Sequence, residues 1–153
     1  MANVEHSALT GSDLHEPKAL AGQTAGKVYV SNGSNSGAWT ARQDLITVHI
    51  HDISTATDIY VPIINAGTVS KLQTVTSAAI AGSDLIITAY NSSSASMGNL
   101  TVTQSGSAAG DVDVLSPSSN NTVTAGSYIR INGNGGPSSH VDVMLLIAVD
   151  RTS

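Results

Sequence analysis

The chain has 153 residues, a formal net charge of −5 and no cysteine. Its three Lys and three Arg are scattered, so no basic cluster could neutralise phosphates and we expect no nucleic-acid partner. Without cysteine, disulfides, thiolate zinc sites and cysteine nucleophiles are excluded. No apolar run approaches the roughly 18 residues of a transmembrane helix, so no membrane partner is predicted either.

The composition predicts a β protein with an aliphatic core. Charged residues make up only 11% of the chain and aromatic residues only 3%, with no Phe and one Trp. Most of the polarity comes from Ser, Thr, Asn and Gly, which also form turns between strands. A surface of uncharged polar groups suits a protein that packs against many neighbours better than it suits a free enzyme.

The first polar stretch, residues 4–18, is too poor in apolar side chains to order itself. It carries both glutamates of the chain, a proline and only a few aliphatic residues. Such a segment cannot offset roughly 1–2 kcal/mol of backbone ordering per residue. We therefore interpret residues 1–26 as an extended arm that a partner surface orders.

A small β-hairpin is predicted after the arm. Val28 and Val30 alternate with polar or amphipathic neighbours, Asn32-Gly33 is a strong turn dipeptide, and residues 38–40 form the return strand. An isolated two-stranded hairpin is marginal in water, so it needs a partner. The predicted interface residues of the hairpin are Val28, Tyr29, Val30 and Trp39.

The remaining chain alternates short strands with Gly/Ser/Asn turns, and no segment of helical length has a 3.6-residue period. Pro62 predicts an edge strand or a bulge, and the most apolar run, 140–150, predicts a central strand. Val69 is expected to share a strand face with Lys71. The predicted strand segments are 45–53, 58–64, 68–80, 84–90, 99–105, 112–115, 122–132 (a β-arm turning at residues 125–126) and 140–150.

This pattern predicts an all-β fold, an antiparallel β-sandwich or jelly roll with an extended N-terminal arm and a small hairpin. We place the domain boundary near residues 40–43. Residues 1–42 then form the arm and hairpin, and residues 43–153 form the sandwich domain.

Two groups of polar residues were weighed as ion sites. His49 and His51 share a strand face, with Asp52 adjacent and His140 elsewhere, but a zinc or nickel site needs three or four converging ligands. A solvated face, an interface, or a ring around a symmetry axis also explains the two histidines. Asp111-x-Asp113 lacks the further carboxylates of a calcium loop and fits a turn. We predict no metal and no cofactor.

The sequence offers little support for catalysis, and we predict no catalytic residues. It contains no GxSxG, and Gly133-x-Gly135-Gly136 is not followed by the Lys-Ser/Thr of a phosphate loop. No pair of carboxylates is placed as in glycosidases. The expectation is that the protein is not an enzyme.

Two regions resemble known virion proteins. Residues 6–39, with the run LTGSDLHEPK and the VYVSNG…GAW hairpin, resemble the N-terminal segment of tailed-bacteriophage virion proteins. The segments HDISTATDIYVPIINAG (51–67) and SGSAAGDVDVLSPSSNNTVTAGSYIRI (105–131) resemble the β domain of phage head decoration, or cement, proteins. Together these regions cover most of the chain.

The resemblance implies a homotrimer on the outer surface of the virion capsid, assembled in the host cytoplasm, which binds the major capsid protein and stabilises the head. The hairpin would contact the capsid or a neighbouring subunit. In this interpretation the arm residues that contact the capsid are His6, Leu9, Thr10, Asp13, Leu14, His15, Glu16, Pro17 and Lys18.

Two alternatives stay open. A tail-fibre module that binds a receptor or glycan would use the exposed loops 91–98 and 133–139, although the scarcity of aromatic residues argues against sugar stacking. A hydrolytic virion enzyme would depend on His49, His51 or His140.

Overall fold

The computed structural model describes residues 27–31 and 37–152. Within these residues no helix is long and apolar enough to cross a membrane. The described chain folds into strands β1 (Lys27–Ser31), β2 (Gly37–Ala41), β3 (Gln43–Ile50), β4 (Thr57–Pro62), β5 (Gly67–Thr76), β6 (Leu85–Tyr90), β7 (Ser96–Val102), β8 (Val112–Leu115), β9 (Thr122–Val123), β10 (Tyr128–Gly133) and β11 (Val143–Arg151).

Two antiparallel sheets form the main domain. One has the strand order β4-β10-β6-β7, and the other has the order β3-β11-β5-β8, with the short β9 paired to the beginning of β5. The strands carry alternating buried and exposed side chains, as expected when each sheet has one face on the core. This confirms the predicted all-β antiparallel sandwich.

Aliphatic side chains from both sheets make the core. Its largest fully buried members include Ile87 and Ile131 from the first sheet, and Leu72, Leu145 and Ile147 from the second. Each such side chain contributes roughly 1.5–3 kcal/mol through removal from water. The core can therefore be stable without Phe or Trp, because many medium-sized aliphatic side chains together bury enough apolar surface.

Several details of the strand pattern are confirmed. β4, which ends at Pro62, is an edge strand of its sheet, where a missing backbone N–H costs least. β11 lies between β3 and β5, so the most apolar run is a central strand. β8 covers the predicted residues 112–115.

Two predicted details are wrong. Val69 is buried although Lys71 is exposed, because the pairing of β5 with β11 shifts in register and leaves Ser70 as an extra residue. Such a bulge changes which face later side chains occupy. The segment 122–132 is also not one arm: β9 pairs with β5 in one sheet and β10 pairs with β4 and β6 in the other.

The hairpin is confirmed as a separate two-stranded sheet, with Tyr29 opposite Trp39. Its two rings pack edge to face, 5.4 Å between centroids. Only Arg42 separates β2 from β3. The predicted turn at residues 32–33 and the arm, residues 1–26, lie outside the described residues.

Candidate functional site

The end of β3 and the beginning of β11 bring histidine and aspartate side chains to one face of a sheet. The strands are antiparallel, with His49 opposite Met144. Opposed residues and residues two positions apart share a face of a sheet. His51 directly follows β3, and His140 and Asp142 precede β11; the distances between their polar atoms place these three side chains beside His49.

Asp142 is at the centre of this group, which we call the histidine cluster (His49, His51, His140, Asp142 and Asp52). Its Oδ1 lies 2.9 Å from His51 Nδ1, and its Oδ2 lies 3.3 Å from His49 Nε2. His140 Nε2 is 4.0 Å from Asp142 Oδ1. The ligand atoms of His49, His51 and Asp142 all lie within 4.8 Å of one another. Every histidine in the described part of the chain thus faces one carboxylate.

Asp52 supports the cluster from the turn that follows β3. Its backbone N–H donates to Asp142 Oδ1 at 3.2 Å, and its own Oδ2 lies 3.4 Å from His140 Nδ1. Asp52 Oδ1 accepts hydrogen bonds from the backbone N–H and the hydroxyl of Ser54. Asp52 has φ of 58°, a left-handed conformation that Asp tolerates better than most residues. The turn therefore fixes both carboxylates.

The pKa values of both carboxyl groups are lowered from the ordinary value of Asp. The backbone N–H of Asp52 lowers the pKa of Asp142, with further lowering from positive charge on His51 and His49. The pKa of Asp52 is lowered mainly by the hydrogen bonds from Ser54, and then by positive charge on His140 and His51. An anionic centre ringed by imidazoles is suited to binding a cation.

The structure brings together the three histidines that the hydrolase alternative named. No serine hydroxyl in the described residues hydrogen-bonds to one of these imidazoles: the Ser54 hydroxyl donates to Asp52, and the Ser77 oxygen accepts from the Asp142 backbone N–H. The arrangement has the form of a ligand set more than that of a nucleophile with its base.

A second group of side chains lies on the outer face of the β4-β10-β6-β7 sheet. Arg130 on the central β10 is opposite both Tyr60 and Tyr90, and its guanidinium carbon lies 4.2 Å from the Tyr90 ring centroid. Tyr128 packs edge to face on Tyr60, 5.2 Å between centroids. Three of the four tyrosines in the chain thus share one exposed face, here called the tyrosine face. Sequence spacing alone could not gather them, because they come from three strands.

A third exposed feature crosses the outer face of the other sheet. Val75 on β5 is opposite Met144 on β11 on one side and Val112 on β8 on the other. Val114 follows two positions along β8, and all four side chains are exposed. We call this set the apolar row (Met144, Val75, Val112 and Val114).

The predicted interface residues of the hairpin are largely accessible to solvent. Val28, Tyr29 and Val30 are 41%, 37% and 52% exposed, and Trp39 is half-buried. The indole Nε1–H of Trp39 is buried and has no hydrogen-bond acceptor among the described residues. The predicted arm residues, from His6 to Lys18, lie outside the described residues, so their role stays a prediction.

Of the remaining candidate positions, Asp113 lies within β8, so the prediction that Asp111-x-Asp113 forms a turn is wrong for Asp113, whereas Asp111 and residues 134–139 lie in loops. Asp111 Oδ2 accepts from the backbone N–H of Ala108, three residues before it, and the Asp111 N–H donates to the Ala108 carbonyl, which closes the loop before β8. In the 133–139 loop, Asn134 Oδ1 accepts from the Ile86 and Gly136 backbone N–H groups. The loop is therefore tied to β6.

Taken by its architecture, the chain is an antiparallel β-sandwich with an accessory hairpin. No protein-family model matches the chain, and no curated protein matches it either.

Solved structures that are similar to the chain include two of known assembly type. One is a chain of the cyanophage Pam1 capsid asymmetric unit, with 10% identity and a TM-score of 0.44 over 80% of this chain and 94% of that one. The other is a chain from the disulfide-linked pili of Bacillus endospore appendages, with 16% identity and a TM-score of 0.36 over 73% of this chain and 89% of that one. Both scores are below 0.5, so neither likeness supports a functional assignment.

Proposed function

We propose that this protein is a non-enzymatic structural component of a bacteriophage virion. It acts as a decoration, or cement, protein that binds the major capsid protein on the outer surface of the head and stabilises it as a homotrimer. The observation that carries the proposal is the hairpin, a two-stranded sheet outside both sandwich sheets whose apolar side chains are exposed.

A hairpin of this kind needs a partner surface. Two strands alone are marginally stable in water, and all five side chains of β1 are exposed, including Val28, Tyr29 and Val30. Exposed backbone edges and apolar side chains are what another chain uses to add a strand or to cover a face. The buried indole N–H of Trp39 would gain an acceptor from such a partner.

The sequence resemblance implies that this partner is a capsid. An arm of about 20 residues reaches roughly 65 Å when extended, enough to cross from one capsomer to its neighbour. Three arms on a trimer would engage the lattice together, and effective concentration would raise the avidity well above the affinity of one arm. The apolar row supplies a face on which copies of the domain could associate.

The test is to mix the protein with undecorated heads of its phage and to measure co-sedimentation and the resistance of the heads to heat. Deletion of residues 1–26 is expected to weaken binding strongly. The substitution Thr101→Lys, at an exposed position of β7, provides a control that should bind normally. Unchanged binding by the truncated protein would refute the role of the arm, and failure of the full-length chain to bind would refute the capsid assignment.

A second candidate function is glycan binding by a tail-fibre module, and the tyrosine face favours it. The sequence argument against this function rested on the scarcity of aromatic residues. The structure nevertheless places Tyr60, Tyr90 and Tyr128 beside Arg130 on one face. A glycan array probed with the full chain and with Tyr60→Ala tests it: saturable binding that the substitution abolishes would support this function, and an array without signal would exclude it for the sugars present.

A further inference from the structure

We propose that the histidine cluster binds one divalent transition-metal ion of the zinc class per chain. The ligands are His49 Nε2, His51 Nδ1, His140 Nε2 and a carboxylate oxygen of Asp142. The sequence argument against a metal depended on the number of ligands, since only two histidines shared a strand. The structure adds Asp142, which gathers with His49 and His51, and places His140 Nε2 4.0 Å from Asp142 Oδ1 as the fourth ligand.

The spacing of the ligand atoms fits such an ion. Zinc lies about 2.0–2.2 Å from nitrogen and oxygen ligands, so the ligands of a tetrahedral site are roughly 3.3 Å apart. The nitrogens of His51, His49 and His140 lie 2.9, 3.3 and 4.0 Å from the nearest oxygen of Asp142. The ligand atoms of His49, His51 and Asp142 are all within 4.8 Å of one another. His140 lies outside that group, so its exposed ring must turn toward Asp142 for Nε2 to complete the shell.

The groups behind the ligands are those that metal sites use. A ligating histidine commonly donates its other ring N–H to a carboxylate, which sets the tautomer and the ring orientation. His140 Nδ1 faces Asp52 Oδ2 at 3.4 Å, which leaves Nε2 with a lone pair toward the site. Asp52 is held in turn by Ser54, and its backbone N–H holds Asp142. Hydrogen bonds within the chain therefore already orient Asp52 and Asp142.

The ligand types select the class of metal. Three imidazole nitrogens and one carboxylate suit Zn²⁺, Co²⁺, Ni²⁺ or Cu²⁺, whereas Ca²⁺ and Mg²⁺ prefer shells of oxygen. The side chains of His49, His51 and His140 are more than half exposed, so an ion can enter from solvent. Bound there, it would join the end of β3 to the beginning of β11 and stabilise that end of the sandwich.

The experiment uses the full chain after treatment with a chelator, titrated with ZnCl₂ in a calorimeter and followed by thermal unfolding with and without Zn²⁺. We expect one ion per chain, a higher melting temperature with Zn²⁺, and the intense visible absorption of tetrahedral Co²⁺ when cobalt replaces zinc. These measurements require no capsid, so their outcome is independent of the proposed function.

Three variants test the ligand set. His49→Ala/His51→Ala should lose the binding, and the positioning variant Asp52→Asn should bind roughly 10–100-fold more weakly with the same stoichiometry. His6→Ala/His15→Ala, which removes the two histidines of the arm, is the matched control and should bind like the original chain. The side chains of His49 and His51 are more than half exposed, so the unfolding temperature of His49→Ala/His51→Ala without metal should agree with that of the original chain.

Several results would overturn the proposal. They are no heat of binding with Zn²⁺, unchanged binding by His49→Ala/His51→Ala, or loss of binding in the arm control. A stoichiometry of one ion per three chains would overturn it as well, because it would place the ion on a symmetry axis between copies instead of within each cluster.

Discussion

Arg151 and Asp44 join the end of β11 to the beginning of β3. The Arg151 Nε donates to Asp44 Oδ1 at 2.8 Å, and Asn65 Nδ2 donates to the other carboxylate oxygen at 3.0 Å. Both charged side chains are about three-quarters buried. The hydrogen bond from Arg151 is the main cause of the lowered pKa of Asp44, and the bond from Asn65 lowers it further against the opposing effect of burial.

The lowered pKa predicts a dependence of stability on pH. A carboxyl whose pKa is lower in the folded state stabilises the fold above its unfolded value, about 3.9, and this contribution is lost as the pH falls through the folded value. We expect Asp44→Asn to reduce the free energy of unfolding by roughly 1 kcal/mol at pH 7. The difference from the original chain should shrink as the pH falls below about 3.9 and through the lower pKa of the folded state.

Urea unfolding of both proteins at several pH values measures this difference. If Asp44→Asn reduced the free energy of unfolding equally at neutral and acidic pH, the ionic explanation would be wrong and the loss would come from altered side-chain packing.

The histidine cluster shows which part of a site a sequence can predict. The alternation of β3 places His49 and His51 on one exposed face, and the structure agrees. Nothing in the local pattern indicates that the strand beginning near residue 143 pairs with β3, since the two segments are about 90 residues apart. The contribution of His140 and Asp142 depends on that long-range pairing, so it became visible only with the fold.

Among the loops, the one after β10 approaches the turn after β3 closely at Gly135. A Cβ atom placed on Gly135 would lie 2.3 Å from the backbone nitrogen of Ala56, and the residue has φ of +66°. Gly126 also has a positive φ, +76°, but nothing lies within 4 Å of the corresponding Cβ position. Comparing substitutions at these two positions therefore distinguishes the cost of backbone strain, which both share, from the cost of steric contact, which only Gly135 has.

We therefore expect Gly135→Ala to destabilise the fold more than Gly126→Ala. Both substitutions cost roughly 1–2 kcal/mol of left-handed backbone strain. Gly135→Ala must in addition move the backbone of residues 55–56, next to the histidine cluster. Thermal unfolding of the two variants measures the difference, and equal melting temperatures would contradict the close approach.

The strands themselves were largely predictable, because one face of each is buried and period-two alternation follows. The errors have local causes. The bulge at Ser70 puts Val69 on the buried face and Lys71 on the exposed face. An alternating sequence does not show where such an extra residue lies. Likewise, residues 124–127 pass from one sheet to the other, although Ala125-Gly126 has the composition of a hairpin turn.

Because the hairpin is a separate sheet, a substitution in it should change binding to the partner without changing the stability of the sandwich. Val30 is 52% exposed and belongs to a sheet that is not hydrogen-bonded to the sandwich strands, so Val30→Ser should change the free energy of unfolding by less than about 0.5 kcal/mol. Under the proposed function, the same substitution should weaken binding to undecorated heads. Urea unfolding and co-sedimentation measure the two effects, and a large loss of stability would show that the hairpin is part of the core structure.

The complete domain has two differently built outer faces. The tyrosine face combines aromatic rings with Arg130, a composition typical of sites that dominate the energy of protein interfaces. The apolar row lacks both charge and hydrogen-bonding groups. Under the proposed function the protein contacts both a capsid and its own copies, and of these two faces the apolar row is the one suited to contact between identical chains.

We expect copies of the chain to associate through the apolar row. Val112 and Val114 are 52% and 55% exposed on β8, at the edge of their sheet. The double substitution Val112→Lys/Val114→Lys places two charges there, and their desolvation together with repulsion between copies should convert the proposed trimer to monomers. Native mass spectrometry and sedimentation velocity at matched concentration measure this conversion. Thr101→Lys, on the other sheet, is the control and should keep the oligomeric state of the original chain. If the double substitution left the oligomer intact, the apolar row would not be the self-association surface, and the tyrosine face or the hairpin would be tested next.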